Sequence, residues 1–232
     1  MKTNWWTRIL DFISPRACVV CGHRLSVTER SLCGVCTFHL PRTAYQFEAE
    51  DNAMAQLFWG LAPVERAAAL MYYEPHSETA EILYRLKYGQ RPDIGEDMGR
   101  LMAREMELAG YFDGIDVLVP VPLAPKRLRQ RGYNQSERLA QGISDITGLP
   151  IERRVLQRRH FRQSQTALTR QERQENVKDM FYLRHGERLV GRHILLIDDV
   201  CTTGATLLAC WEAFKGVENL KISILTLAFT KK

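Results

Sequence analysis

His193-Ile194-Leu195-Leu196-Ile197-Asp198-Asp199-Val200-Cys201-Thr202-Thr203-Gly204-Ala205-Thr206-Leu207 is the stretch on which the fold turns. Its apolar run, bounded by polar residues, predicts a strand covered on both faces, as in a parallel sheet flanked by helices. Ligands of such sheets sit beyond the carboxyl ends of the strands, and Asp198 and Asp199 fall there. Two adjacent carboxylates can accept hydrogen bonds from vicinal ribose hydroxyls, directly or through a metal ion. The loop from Thr202 to Thr206 then offers backbone N–H groups, hydroxyl donors and a glycine, so that a phosphate can approach the N-terminus of the next helix closely. No Lys follows Gly204, which argues against a nucleoside triphosphatase loop. A helix-capping role would account for one carboxylate and not for the rest of the loop.

Working outward, strands alternate with helices. Residues 66 to 73 read as a strand, 77 to 88 as a helix capped by Ser77, and 92 to 108 as a helix ending at Gly110. Residues 116 to 121 form a short apolar strand closed by Pro120 and Pro122, and 135 to 147 a helix ended by Gly148. A last strand covers 220 to 229. This alternation predicts an α/β fold with a doubly wound parallel sheet. Val155 to about Met180 is basic and polar with no clean period, which suggests a lid-like loop.

A second signal lies near the start of the chain, in Cys18-Val19-Val20-Cys21 and Cys33-Gly34-Val35-Cys36. Two C-x2-C pairs are the ligand pattern of a tetrahedral thiolate site, each pair making a knuckle that points both sulfurs at one metal. Zinc is the first choice, with iron in a rubredoxin-like site as the alternative. Disulfides are the competing reading, disfavoured by the lack of a secretory signal and by Cys201 and Cys210 standing outside the pairs. His23 and His39 lie near enough in sequence to replace one cysteine. Residues 1–60 are therefore expected to form a zinc-binding module with an N-terminal helix and a connector, and residues 61–232 the α/β domain.

The chain has 232 residues, 45% hydrophobic and 25% charged, enough for one such domain plus a small metal module. The first dozen residues carry Trp5, Trp6, Ile9, Leu10 and Phe12, but Asp11 interrupts them, and they read as neither a signal peptide nor a membrane span; an amphipathic helix packing on the body is preferred to a membrane-surface anchor, whose polar face should be richer in Lys and Arg. A cytoplasmic protein with no transmembrane segment is expected. The net charge of +5 is unevenly spread. Lys126, Arg127, Arg129 and Arg131 crowd one segment, and seven arginines lie between Arg153 and Arg173. Such clusters attract polyanions, either a diphosphate or a nucleic-acid backbone; a solvated charged face is the plainer alternative.

The segment from His193 to Leu207 resembles the phosphoribosyl diphosphate (PRPP) binding motif of type I phosphoribosyltransferases. Leu86-Lys87-Tyr88-Gly89, Val119-Pro120-Val121-Pro122 with Arg131-Gly132-Tyr133-Asn134-Gln135, and the stretch from Gln163 to Asn176 sharpen this. Together with the cysteine pairs, the whole chain resembles the ComF family, which includes GntX-like proteins and is associated with natural competence and the handling of transforming DNA.

The resemblance implies a type I phosphoribosyltransferase-like domain. Asp198 and Asp199 would hold the ribose hydroxyls and Thr202, Thr203, Gly204, Ala205 and Thr206 the 5′-phosphate, with magnesium (Mg2+) bridging diphosphate and ribose oxygens beside the structural Zn2+. Lys87 matches the position of a diphosphate-binding cation, and Arg131 or the arginines after Val155 could supply others; for Lys87 the plainer role is a helix-end lysine, and for Asn134 and Gln135 a helix cap. No segment reads as an acceptor-base pocket or a general base. Two functions follow: magnesium-dependent phosphoribosyl transfer from PRPP, or a non-catalytic PRPP- or nucleotide-sensing protein that binds single-stranded DNA through Arg158, Arg159 and Arg162, with the DNA-uptake machinery as a partner. Trp5, Trp6, Tyr88 and Tyr133 are available for base stacking, though each has a simpler core role.

Overall fold

The computed structural model describes residues 16–75, 77–159 and 180–230. Four strands, β1 (Ala67–Tyr72), β2 (Val117–Pro120), β5 (His193–Cys201) and β6 (Lys221–Phe229), form one sheet in the order β1-β6-β5-β2. All three pairings are parallel, with Ile194 beside Ile222 on one side and Val117 on the other. The apolar runs are buried on both faces because each face is covered. One face, with Leu70, Leu118, Leu195 and Ile197, packs against α2 (Glu78–Tyr88), α3 (Pro92–Glu107) and α5 (Gln135–Thr147). The opposite face, with Ala69, Val119, Ile194 and Leu196, packs against Met54 and Phe58, against α6 (Ala205–Phe214), and against the antiparallel pair β3 (Leu156–Arg158) and β4 (Phe181–Leu183).

Elements expected from the apolar pattern fall within a residue or so of these bounds, and their stops are physical. Ser77 caps α2 by accepting from the Ala80 N–H at 3.3 Å, and Gly148 ends α5 at φ 73°. α3 and α5 approach so closely that a Cβ on Gly99 would lie 2.2 Å from the Leu139 carbonyl oxygen, and one on Gly142 2.0 Å from that of Glu96. Larger residues at either position would push the pair apart.

Two elements differ from expectation. Lys126 to Arg131 lie on a helix, α4 (Pro125–Arg131), started by Pro125 and closed by Gly132 at φ 77°. No residue of α4 is buried, so no hydrophobic period announces it. The stretch after Val155 begins and ends as β3 and β4, whose three-residue strands are too short to show a period of two; the residues between them, 160–179, lie outside the described set, as does the expected N-terminal helix.

The sheet's edges are covered. The Thr43 N–H donates to the Leu70 carbonyl and the Tyr72 N–H to the Pro41 carbonyl along β1, while Leu118 exchanges hydrogen bonds with the backbone of Pro150 and Glu152 along β2. Pairing at such edges removes the templates on which other chains could add.

The cysteine-bearing segment docks on α3 through polar contacts. Ser31 Oγ donates to Asp97 Oδ2 at 2.6 Å, and Arg42 grips Glu105 through Nε and Nη2 at 2.7 to 3.0 Å. Among the described residues, no helix is long and apolar enough to cross a membrane.

Candidate functional site

Beyond the carboxyl ends of β1, β2 and β5 opens a cleft of about 470 Å³, lined among others by Lys87, Arg127, Arg131, Ser136, Arg158, Asp198, Asp199, Thr202 and Thr206. It brings together residues the sequence singled out far apart along the chain. Asp198 Oδ1 accepts from Ser136 Oγ at 3.0 Å and from the Asp199 N–H at 2.9 Å, which fixes one carboxylate oxygen. Desolvation in the cleft, and then the adjacent Asp199 charge, push the Asp198 carboxyl up to about 7, against the pull of these donors and of Lys87. Lys87, at the end of α2, lies 3.3 Å from Asp199 Oδ2.

The loop after β5 has the form of an anion cradle. Gly204 sits at φ 75°, a left-handed conformation natural to glycine, and a Cβ there would meet the Phe58 ring at 3.3 Å. α6 starts directly after it with no side chain capping its first amides, and Thr202, Thr203, Ala205 and Thr206 are exposed. Uncapped N–H groups at the start of a ten-residue helix, behind hydroxyls, attract a phosphate through hydrogen bonding and the helix dipole.

Arg131 Nη1 donates to Gln135 Oε1 at 2.8 Å, and its guanidinium lies 5.5 Å from the Tyr88 ring centroid. A second hollow of about 550 Å³ continues from the cleft between Lys87, Tyr88, Gln90, Arg127, Gln130 and Arg131. Asn134 caps α5, accepting from the Ser136 N–H at 3.1 Å and donating to the Val121 carbonyl at 3.0 Å. Tyr133 is buried, with its hydroxyl on the Leu86 carbonyl at 2.5 Å. Its role is to tie the β2–α5 connection to α2, which leaves it no ring face for stacking.

Three residues of the cleft were missed or not singled out by sequence reasoning. Ser136 follows the Asn134-Gln135 pair directly, but nothing in its spacing shows that it reaches Asp198. Arg127 reads only as one of several cations. Arg158, given above both among the arginines after Val155 that could meet a diphosphate and with Arg159 and Arg162 as a nucleic-acid contact, lines the cleft and lies 5.3 Å from the Phe181 ring centroid. Arg159 stacks over Tyr182 at 5.7 Å, and Arg162 lies outside the described residues.

The four cysteines form a separate centre. Cys18, Cys21, Cys33 and Cys36 bring their sulfurs within 4.8 Å of one another, with Cys21 Sγ 3.7 Å from Cys33 Sγ. Tetrahedral thiolates around zinc at about 2.3 Å stand at about that separation from each other. The first pair sits on a turn closed by the Gly22 N–H on the Cys18 carbonyl at 2.9 Å, and the second opens the short helix α1 (Gly34–Phe38). The Cys33 N–H points to Cys18 Sγ and the Cys36 N–H to Cys33 Sγ, each at 3.4 Å, which steadies thiolate charge. Glu29 clasps the two knuckles, accepting from the N–H of Ser26 at 2.7 Å and of Gly34 at 2.6 Å. His23 and His39 are exposed and outside this cluster. The donor set suits zinc.

Residues 88–232 match the phosphoribosyl transferase domain. The chain is 29% identical over 192 residues to the DNA utilization protein YhgH of Escherichia coli, spanning 82% of this chain and 79% of that protein. It is 26% identical over 227 residues to Competence protein F of Haemophilus influenzae, spanning 92% and 97%. Competence protein ComFC of Bacillus subtilis is 34% identical over 97 residues, 42% of this chain and 37% of that one.

Proposed function

The chain belongs to the phosphoribosyl transferase domain family, as a ComF-type member with an N-terminal four-cysteine module, and from that premise we propose that it binds PRPP with magnesium in the cleft beyond β5, in work tied to DNA uptake or nucleotide metabolism. The observation that carries this is the convergence in one cleft of two carboxylates, an uncapped helix start and several cations. Ribose hydroxyls donate to Asp198 and Asp199, and the 5′-phosphate accepts from the amides and hydroxyls of Thr202 to Thr206. Ser136 and the Asp199 N–H hold Asp198 in place. Magnesium, when bound with the ligand, neutralises charge on a departing diphosphate, and the cleft's hard carboxylate oxygens suit that ion.

In phosphoribosyl transfer the bond from the anomeric carbon to diphosphate breaks as the acceptor attacks, so the protein must hold ribose and neutralise the leaving group. The cleft's wall of Tyr73, Leu83, Tyr84, Val121 and Leu123 offers an apolar face for a planar acceptor. The test is a calorimetric titration with PRPP and magnesium, followed by a screen of nucleobases for diphosphate release. Saturable binding with release on adding a base supports an enzyme; binding with no release across the screen supports a sensor. No binding of PRPP rejects the reading. In the cysteine centre, the fitting metal is one structural zinc.

A second reading rests on a different surface. α4 exposes Lys126, Arg127 and Arg129, and Tyr84 and Tyr88, 57% and 63% exposed, stand 5.2 Å apart beside the cleft. Cations next to open aromatic faces suit single-stranded nucleic acid, and two of the relatives are named for DNA utilization and competence.

A further inference from the structure

The four sulfurs of the cysteine centre are not equivalent. Cys18, Cys33 and Cys36 are buried, while Cys21 is exposed. Cys21 and Cys33 also line an open hollow of about 1020 Å³, together with His23, Arg24 and Glu29, and neither Cys18 nor Cys36 lines it. The same two residues hold the 3.7 Å sulfur contact. A disulfide requires about 2.05 Å, so only a short movement separates contact from bond. Room for it exists on the Cys21 side: a Cβ on Gly22, the next residue, would meet nothing within 4 Å.

We infer that Cys21 is an oxidation site, at which a hydroperoxide starts formation of a Cys21–Cys33 disulfide that opens the metal centre. The inference rests on the zinc reading of the cluster and adds the position at which the centre is attacked. The exposed Cys21 thiolate is the nucleophile. It takes one peroxide oxygen, the O–O bond breaks, and hydroxide leaves into the hollow, where His23 and Arg24 can donate to it; Cys21 is now a sulfenic acid. The Cys33 thiolate attacks the Cys21 sulfur, the S–O bond breaks, and a second hydroxide leaves. Two thiolates have then given two electrons to one peroxide. Only Cys18 and Cys36 remain as ligands, fewer than a structural zinc site requires, so the centre no longer retains its metal. A dithiol reductant with added zinc restores it. The consequence reaches beyond the module, because Cys18, Cys33 and Cys36 share one apolar cluster with Leu83 and Leu86. An opened centre loosens the support of α2, the helix that carries Lys87 to the cleft.

The test treats the freshly purified full chain with hydrogen peroxide, follows released zinc with a weak chromogenic chelator, and maps the cysteines by mass spectrometry after trapping with dimedone. Wild type should release one zinc for each peroxide consumed, carry dimedone on Cys21 after the briefest exposure, and end with a Cys21–Cys33 disulfide. Cys21→His keeps a nitrogen ligand at that position and removes its sulfur. It should hold zinc and release it at least about tenfold more slowly, since susceptibility follows the exposed thiolate. Release at the wild-type rate from zinc-loaded Cys21→His overturns the inference, as does zinc retained by peroxide-treated wild type. If the variant binds no zinc, the wild-type map decides alone: a first label on another cysteine, or a disulfide that omits Cys21 or Cys33, overturns it. A chain purified without zinc that still passes through a Cys21 sulfenic acid to the Cys21–Cys33 disulfide would uphold the oxidation site and reject the zinc reading.

Discussion

Lys87 Nζ stands 3.3 Å from Asp199 Oδ2, joining the end of α2 to the end of β5 across the mouth of the phosphate loop. In the PRPP reading proposed above, the lysine would serve the diphosphate and the carboxylate the ribose. The two side chains satisfy each other here, so that ligand would have to exchange their contact for two of its own. Both side chains are mostly shielded, at 25% and 16% exposure, so the pair is worth more than a surface ion pair and more costly to split unevenly.

Lys87→Gln should therefore separate the two halves of the ligand. PRPP affinity is expected to fall by about 10- to 100-fold, the loss of one charged hydrogen bond. Ribose 5-phosphate should bind as well as before or better, since Asp199 no longer has a competing cation. Calorimetry with both ligands decides: an equal loss for each would show that Lys87 supports the loop rather than the diphosphate.

Asp198 gives the cleft a pH dependence. Its folded-state carboxyl titrates at about 7, well above the unfolded value of about 3.9, so the folded chain binds the extra proton. Stability from this group is fully present below about pH 4 and is lost as pH rises through about 7. Comparing thermal unfolding of wild type and Asp198→Asn from acid to neutral pH, the wild type should lose ground to the variant as pH increases. Ligand binding should run the other way, because ribose hydroxyls prefer the ionised carboxylate. A difference between the two melting curves that does not change with pH would reject the assignment.

How much of this was legible in the sequence depends on whether a residue acts through its own neighbours in the chain. The strand, acid pair, loop and helix start of residues 193 to 207 are one continuous local unit, and the cysteine pairs carry their own spacing. Gly204 could be read as the point of close approach, and its φ of 75° agrees. Ser136 could not, because its hydrogen bond to Asp198 spans 62 positions and depends on how α5 packs beside β5. Arg158 could not be singled out for a related reason: among many arginines only tertiary structure selects the one that lines the cleft. α4 buries nothing, and its basic residues carry no period that distinguishes a helix from a charged loop.

The cysteine centre should hold one zinc per chain, and its removal should loosen what it supports. Metal closure of so small a segment supplies on the order of 10 kcal/mol, and Cys18, Cys33 and Cys36 are buried in the same apolar cluster as Met98 and Met102 of α3. Elemental analysis of freshly purified protein is expected to find zinc, and Cys36→Ser or a strong chelator to lower the melting temperature. Iron, with visible thiolate-to-metal absorption, would correct the metal but not the site. Four reactive thiols with no metal would refute both.

Single-stranded DNA, if this protein binds it, should follow α4 rather than β3. Arg158 is turned into the cleft, whereas Lys126 and Arg129 are exposed and take no part in lining it. Tyr84 and Tyr88 of α2 then offer ring faces, Tyr88 lying beside Arg131 at the end of that basic helix. Each backbone phosphate neutralised on a single strand contributes about 0.7 to the slope of log affinity against log salt. Replacing Lys126 and Arg129 by Gln should thus weaken binding of a labelled oligonucleotide and flatten that slope by roughly 1.4, while PRPP affinity stays unchanged. Tyr88→Ala should cost a further 1 to 3 kcal/mol or so through lost stacking, with little change in slope, because stacking releases no counterions. Fluorescence anisotropy across a salt series separates these effects. Unchanged binding in the α4 variant would move the DNA track to another basic surface, and no binding by wild type at low salt would reject the nucleic-acid reading and leave the proposed ribose-phosphate reading of the cleft beyond β5.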